Sequence, residues 1–153
     1  MTLGPSHPTW LALYRALAKL ADACGGTSAF VLDEGNGLWC VGIPGAPPIG
    51  STPGQDRAAD RFYRAEIVPR MSSMRRGIKL DVASAAGDDR YVASSFAAIY
   101  AAVVWFDRDL SDLEVARARA TIKRALPEIE SLTLALPPSG GPGTDEGAMK
   151  VRA

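Results

Sequence analysis

Histidine and cysteine are scarce in this 153-residue sequence, and that scarcity excludes several kinds of catalytic centre. There is one histidine, His7, and there are two cysteines, Cys24 and Cys40. A Ser-His-Asp or Cys-His centre would have to use His7, which stands beside Pro8 and is typical of a solvated terminal residue. The sequence has no His-Glu-x-x-His, no Cys/His cluster and no Gly-x-Ser-x-Gly. We therefore predict no catalytic residues, no metal site and no cofactor, and a protein that is not an enzyme.

Nucleotide-binding and calcium-binding motifs are also missing. Without Gly-Lys-Ser or Gly-Lys-Thr there is no P-loop. Gly35-x-Gly37 follows one predicted strand and precedes another, so a hairpin turn explains it better than a dinucleotide fingerprint. The triplet Asp107, Asp109 and Asp112 lacks the glycine and closing glutamate of a calcium loop. Acidic residues at the start of a helix are explained by the helix dipole.

Excess charge of either sign is absent too, because Lys+Arg and Asp+Glu both total 17. A net charge of zero argues against bulk attraction to nucleic acid or to an anionic membrane. No apolar run approaches the ~18 residues needed to span a bilayer, and the N-terminus has no secretory pattern. The two cysteines do not form a Cys-x-x-Cys pair. We expect a cytoplasmic protein with reduced thiols that neither binds nucleic acid nor inserts into membranes.

Hydrophobic periodicity predicts the elements of the first half of the chain. A helix starts near Thr9, a good N-cap, and ends at Gly25-Gly26. Strands 27–33 and 38–43 flank Asn36-Gly37, a dipeptide typical of tight antiparallel hairpins. A Pro/Gly-rich loop follows at 44–54. A second helix then begins near Gln55, with a kink or break expected at Pro69 because proline removes one backbone hydrogen bond.

The second half predicts three strands and one helix. Alternation of apolar and polar residues favours a strand at 78–83, and two more strands are predicted at 90–96 and 99–106. The apolar run in 99–106 is typical of a central strand that is buried on both faces. Ser111 and Glu114 form a capping box at the start of the final helix. The order is helix, two strands, helix, three strands, helix, which predicts an α+β fold: one five-stranded antiparallel sheet with helices on its faces. Residues 1–8 are expected to be a flexible lead-in, 9–136 the domain and 137–153 a disordered tail.

The predicted second helix and the strand after it carry the surface features of most interest. The helix is decorated with arginines, among which Arg64 can pair with Asp60 at i,i+4. These arginines could form an ordinary solvated face of the helix. Alternatively, they could bind an acidic partner, and Arg57, Arg61 and Arg64 are then the candidate contacts. Strand 78–83 is a candidate sheet edge that could pair with its own copy around a two-fold axis, packing the two second helices together.

The stretch from Asp89 to Leu132 resembles the Roadblock family of dynein-light-chain-like proteins. The similarity lies in a buried strand closing on Phe106-Asp107, followed by a helix of the pattern V-x-x-R-x-x-I-K, here Val115, Arg119, Ile122 and Lys123. The resemblance covers about 130 residues and favours the bacterial GTPase-regulator branch. It implies a Roadblock/profilin-like fold, and a homodimer joined through the second helix and third strand. It also implies that a Ras-like small GTPase docks on the helical side and is regulated or scaffolded there. The expected dimer residues are Tyr63, Ile67, Met71, Met74, Ile78, Leu80 and Val82.

Two other functions remain open at the level of sequence. A small-molecule sensory domain could hold a ligand between sheet and helix, with Trp39, Tyr91, Phe96 and Trp105 as candidate lining residues. A Roadblock paralogue could instead scaffold another Roadblock-like protein without a GTPase. Small-molecule binding would distinguish the first of these from a protein-interaction module, which is stabilised only by its partner.

Overall fold

The computed structural model describes residues 7–48 and 53–136, and for residues 53–56 it describes the backbone alone. Four α-helices and five strands follow one another in the order α1, β1, β2, α2, α3, β3, β4, β5, α4. Their bounds are Pro8–Cys24 (α1), Ser28–Asp33 (β1), Leu38–Gly42 (β2), Pro53–Phe62 (α2), Met71–Arg75 (α3), Asp81–Ser84 (β3), Arg90–Phe96 (β4), Tyr100–Phe106 (β5) and Asp112–Ala135 (α4). Most of the predicted flexible lead-in, residues 1–6, lies outside the described residues. The predicted disordered tail, residues 137–153, lies outside them as well.

The predicted single antiparallel sheet is confirmed. Its five strands lie in the order β2-β1-β5-β4-β3, and every neighbouring pair is antiparallel. β5 is therefore the central strand, as its continuous apolar run predicted. β2 and β3 form the two edges.

Helices cover both faces of the sheet and produce two cores. On one face, α1 and α4 pack on the sheet around a core that includes the buried side chains of Leu13, Leu17, Val31, Val104 and Ile122. On the other face, the helical segment from Pro53 to Arg75 covers a smaller core containing Phe30, Phe62, Ile67, Met74 and Val103. The strands alternate between these two cores, because successive side chains of a strand point to opposite faces.

The N-cap of α1 lies two residues earlier than the sequence predicts. His7, rather than Thr9, is the N-cap, and its Nδ1 atom accepts a hydrogen bond from the Trp10 backbone N–H at 3.4 Å. Pro8 occupies the first helical position, where a missing N–H costs nothing. His7 and Pro8, which the sequence assigned to the lead-in, thus belong to the start of α1, and this histidine has a structural role.

The β1–β2 hairpin forms as predicted, but its turn is tied down by an aspartate. Asp33 Oδ1 accepts hydrogen bonds from the backbone N–H groups of Gly35 and Gly37, both at 2.9 Å. Asp33 Oδ2 accepts another from Trp39 Nε1 at 3.0 Å. Asn36 adopts the expected positive φ of 63°, the left-handed conformation that asparagine tolerates. The Asn-Gly signal therefore located the turn, and Asp33 fixes its shape.

The predicted kink in the second helix is a change of helical type. α2 passes into a π-helical turn over Tyr63–Ile67, then a 3-10 turn over Val68–Arg70, and then α3. Pro69 lies in the 3-10 turn, where its missing N–H disrupts the α-helical hydrogen bonds. Phe62 and Ile67 are both fully buried although they are five residues apart. This spacing suits a π-turn and not an α-helix.

The final helix confirms the predicted capping box. Ser111 Oγ accepts from the Glu114 backbone N–H at 3.1 Å, and Glu114 Oε1 accepts from the Ser111 N–H at 2.9 Å. The helix runs through Pro127 to Ala135 without interruption. Among the described residues, no helix combines the length and apolar character needed to cross a membrane.

Candidate interaction surface

Among the described residues, no strand pairs with the backbone groups on the outer edge of β3. The Ser95 N–H donates to the Leu80 carbonyl at 2.8 Å, and Val82 lies opposite Ala93 in the same register. Residues 80, 82 and 84 therefore direct their backbone groups towards β4, because these directions alternate along an antiparallel strand. The N–H and C=O of Asp81 and Ala83 point away from the sheet. An edge of this kind can accept another strand.

The edge runs along the floor of a groove of about 620 Å³. One wall carries Glu66 and Arg70, from the π-turn and the 3-10 turn; the other carries Val115 and Arg119 of α4. A strand added to β3 would therefore contact helices on both faces of the sheet.

The groove walls are organised by ion pairs. Arg70 binds Glu66 with 2.7 Å between Nη1 and Oε1, and Arg119 binds Asp81 with 2.9 Å between Nε and Oδ1. The Tyr91 hydroxyl donates a hydrogen bond to the Glu66 carboxylate. Burial raises the pKa of Tyr91, and the hydrogen bond to Glu66 raises it further, so the phenol stays protonated. Glu66 is thus held between a cation and a phenol.

The residues predicted for a dimer seam divide into two groups. Ile67, Met74 and Leu80 are nearly or fully buried, at 0%, 1% and 2% exposure, in the core of the same subunit. These three side chains cannot contact another chain unless the subunit unfolds. The prediction that they form the dimer interface is therefore wrong, and they pack instead in the core beneath that surface. α-Helical periodicity assigned Ile67 and Met74, and the π-turn shifts that periodicity; the alternation of strand 78–83 assigned Leu80.

The other four predicted seam residues are at least partly accessible. Ile78 is 56% exposed. Tyr63, Met71 and Val82 are partly buried. The Tyr63 hydroxyl donates to the Glu34 carbonyl at 3.0 Å, and the partly buried residue packs against the smaller core. Val68, which the sequence did not single out, is 51% exposed next to Pro69.

The predicted contact arginines lie on the exposed side of α2 and the π-turn. Arg57 is exposed. Arg61 Nε donates to both carboxylate oxygens of Asp89 at 2.9 and 3.0 Å, and Arg64 Nε donates to Asp60 at 2.9 Å. Both bonds use Nε, so the terminal guanidinium nitrogens are not engaged in these two pairs. Asp60 accepts the Arg64 and Asn36 hydrogen bonds, and these lower its pKa.

Acidic residues from other elements neutralise much of this arginine-rich segment. Asp89 comes from the turn before β4, and Glu34, from the β1–β2 turn, pairs with Arg75. The sequence showed the intrahelical Asp60–Arg64 pair because its spacing is local. It carried no signal for the Asp89 and Glu34 pairs, which depend on the tertiary fold.

The aromatic residues suggested for a sensory cavity do not share one space. Trp39 and Phe96 lie in the core beneath α1 and α4. Tyr91 and Trp105 lie on the opposite face of the sheet, where their rings stack with centroids 5.4 Å apart. A cavity lined by all four would have to pass through the sheet. Within the described part of the chain, no group of three or more His, Cys, Asp or Glu side chains is arranged to hold a metal.

Comparison with solved structures supports the fold predicted from sequence. The chain is similar to MglB of Myxococcus xanthus, with a TM-score of 0.59 and 13% identity over 82% of this chain and 97% of that one. It is also similar to the gliding protein MglB of Thermus thermophilus, with a TM-score of 0.64 and 12% identity over 88% and 97%. No protein-family profile and no curated protein sequence matches this chain significantly. The fold is Roadblock/MglB-like.

Proposed function

We propose that this protein is a homodimeric, cytoplasmic interaction module that binds a Ras-like small GTPase and regulates or scaffolds it. The observation that carries the proposal is the unpaired edge of β3, flanked by a groove, in a fold of the Roadblock/MglB type. The proposal needs no cofactor, because the chemistry would be performed by the GTPase.

The backbone of β3 favours one register for pairing with a second copy. A two-fold axis at Ala83 would pair Asp81 with Ala85, whose carbonyl already accepts the Leu110 N–H at 2.7 Å. An axis at Asp81 would place that carboxylate against its own copy. An axis at Val82 pairs Asp81 with Ala83, and both have outward backbone groups. We therefore place Val82 on the axis.

This seam would enlarge the surface that a GTPase meets. Two sheets would continue into one, and the two helical segments from Pro53 to Arg75 would lie on the same face. Arg57 and Arg64 would then appear twice on that composite face, a favourable arrangement for an acidic partner surface. Another Roadblock-like protein could use the same edge, since main-chain pairing does not depend on side-chain identity.

A proline scan of the edge tests the dimer. Ala83→Pro removes an outward N–H while the β3–β4 hydrogen bonds remain, so we expect a folded monomer by light scattering and circular dichroism. Ala83→Ser keeps the N–H and should stay dimeric.

Disulfide cross-linking tests the register of the pairing. Val82→Cys is introduced into a Cys24→Ala/Cys40→Ala background, and we expect the two copies of residue 82 to cross-link. They would form a non-hydrogen-bonded pair, in which the Cα atoms lie about 4.5 Å apart, within disulfide range. Ala83→Cys in that background should not cross-link.

A Ras-like GTPase from the same organism tests the partner. We expect calorimetric binding that depends on whether the GTPase holds GDP or a non-hydrolysable GTP analogue. Faster GTP hydrolysis would identify a regulator, and binding without acceleration would identify a scaffold. Absence of binding in either nucleotide state, with an intact dimer, would contradict the proposal and favour a Roadblock-like partner.

A further inference from the structure

A second, smaller cavity lies on the α4 side of the sheet, apart from the arginines of α2. It encloses about 290 Å³ between the start of β3, the middle of β4 and the side chains of Lys123 and Leu126 on α4. Its volume suits a small ion with bound water better than a drug-sized ligand. The interaction surface described above shares Asp81 with this cavity but does not account for Ser94, Lys79 and Lys123.

Ser94 is one of the residues that line this cavity, and its hydroxyl has no partner among the described residues. The residue is 4% exposed, and its Oγ atom is buried. The adjacent Ser95 contrasts with it, because its hydroxyl accepts the Leu80 N–H at 2.8 Å. A buried hydroxyl without a hydrogen bond is costly, so Ser94 is expected to meet a polar group from outside the chain.

The charges around Ser94 favour an anion. Lys79 and Lys123 both line the cavity, against the single carboxylate of Asp81. That carboxylate is already bound by Arg119 Nε at 2.9 Å and Lys123 Nζ at 3.1 Å. Among the side chains described, those of residues 7–48 and 57–136, no carboxylate lies within ion-pair distance of Lys79. The cavity thus combines surplus positive charge with a hydroxyl donor.

We propose that this cavity binds inorganic phosphate. The two lysines would donate to phosphate oxygens from different sides, and rotation of the Ser94 side chain would bring its hydroxyl, which is buried in the phosphate-free protein, to a third oxygen of the tetrahedral anion. Asp81 supplies the selectivity: hydrogen phosphate carries a proton that it can donate to a carboxylate, and sulfate at the same pH does not. Phosphate monoesters lose their second proton with a pKa of about 6, so at higher pH they too lack this donor.

Calorimetric titration of the full chain at pH 7.5 and constant ionic strength tests the site. We expect saturable binding of one phosphate per subunit, and binding of sulfate and methyl phosphate that is weaker by about tenfold, the value of one charge-assisted hydrogen bond. No saturable phosphate binding would overturn the proposal. Tighter binding of methyl phosphate would overturn the role given to Asp81.

Three variants and one control connect binding to these residues. Lys79→Gln should weaken phosphate binding by about tenfold, and Arg124→Gln, an exposed arginine of the same helix as Lys123 that does not line the cavity, should not. Ser94→Ala should weaken phosphate binding while the phosphate-free protein unfolds at the same temperature or higher. Asp81→Asn should reduce the preference for phosphate over sulfate. Equal phosphate affinity in Lys79→Gln and Ser94→Ala to that of the wild type would contradict the assignment, and it would leave the dimer and GTPase tests unaffected.

Discussion

Gly42 of β2 packs directly against Leu17 of α1. A Cβ added at Gly42 would lie 2.7 Å from both the carbonyl carbon and the Cβ of Leu17. Real Cβ atoms do not approach other atoms so closely, so α1 can lie on this edge of the sheet only because residue 42 has no side chain. The Tyr14 hydroxyl completes the contact with hydrogen bonds to the Ile43 and Ala46 carbonyls.

Gly42→Ala is therefore expected to be among the more destabilising small substitutions in the protein. We expect a loss of about 3 kcal/mol in the free energy of unfolding, because the clash is with backbone that cannot rotate away. Gly35→Ala is the matched control: its Cβ would meet only Asp33 Oδ1, at an ordinary 3.5 Å. Urea unfolding of both variants checks this, and equal stability of the two would show that α1 can shift away from β2.

The two cysteines are expected to react slowly with alkylating reagents near neutral pH. Burial raises the pKa of Cys24 to about 11 and that of Cys40 to about 12, from an ordinary value of 9.0. The thiolate is the reactive form, so native protein at pH 7.5 should be modified much more slowly than free cysteine. Mass spectrometry should find Cys24, which is only half-buried, labelled before Cys40 as the pH is raised.

These pKa shifts also fix the direction of the alkaline pH dependence. Both pKa values are higher in the folded state, so the stabilising effect of the protonated thiols is complete below pH 9 and is lost as the pH rises through about 11. Urea midpoints measured from pH 8 to pH 11 should fall, and the fall should be smaller in Cys24→Ala. A midpoint that rises with pH over this range would contradict the account.

The capping box of α4 predicts how much Ser111 contributes to the free energy of unfolding and how the contribution of Glu114 depends on pH. Ser111→Ala should lower the free energy of unfolding by about 1 kcal/mol, and Ser111→Asp should restore it. Ser131→Ala, at an exposed position of the same helix, is the control and should be nearly neutral.

Glu114 supplies the pH-dependent part of the cap. Its bond from the Ser111 backbone N–H lowers its pKa below the ordinary 4.5, with Arg108 adding to the effect. Since the pKa is lower in the folded state, the ionised carboxylate stabilises the protein above pH 4.5, and this effect is lost as the pH falls. The stability difference between the wild type and Glu114→Gln should therefore shrink in acid. A difference that grows below pH 4.5 would contradict this assignment.

Arg64→Glu tests whether the arginines contact the partner. The Arg64 side chain is 75% exposed, and its pair with Asp60 is a local one. We expect about tenfold weaker GTPase binding at low salt, with a difference that narrows as salt rises. Arg15→Glu, on the exposed side of α1 across the sheet, is the control. If both variants bind equally well, the helical face with Arg64 is not the docking surface.

The sequence predicted the order of the elements well because most signals for that order are local. The bounds of β4 and the capping box of α4 follow from residues within a few positions of one another. Interactions between distant residues were not predictable in the same way. The Arg61–Asp89 pair joins positions 28 residues apart, and the Ser94 cavity depends on three elements meeting. Both became visible only once the strands were in register.

The assignment of Ile67 and Met74 to the seam was wrong for a different reason. Periodicity placed Ile67 and Met74 on one stripe of a regular helix, whereas the structure turns both into the core of the subunit. Strand 78–83 was predicted three residues too early, because Ile78 continues the alternation but lies outside β3. A single sequence does not reveal where a helix changes its turn.

The π-turn over Tyr63–Ile67 is in effect one residue inserted into an α-helix. Each α-helical residue rotates the next side chain by about 100°, so everything beyond an insertion is turned by that angle relative to what precedes it. Removing one residue from this turn would swing Met74 out of the interior. The length of this short segment, more than its composition, thus decides which side chains of α3 are buried in the subunit and which are exposed to a partner.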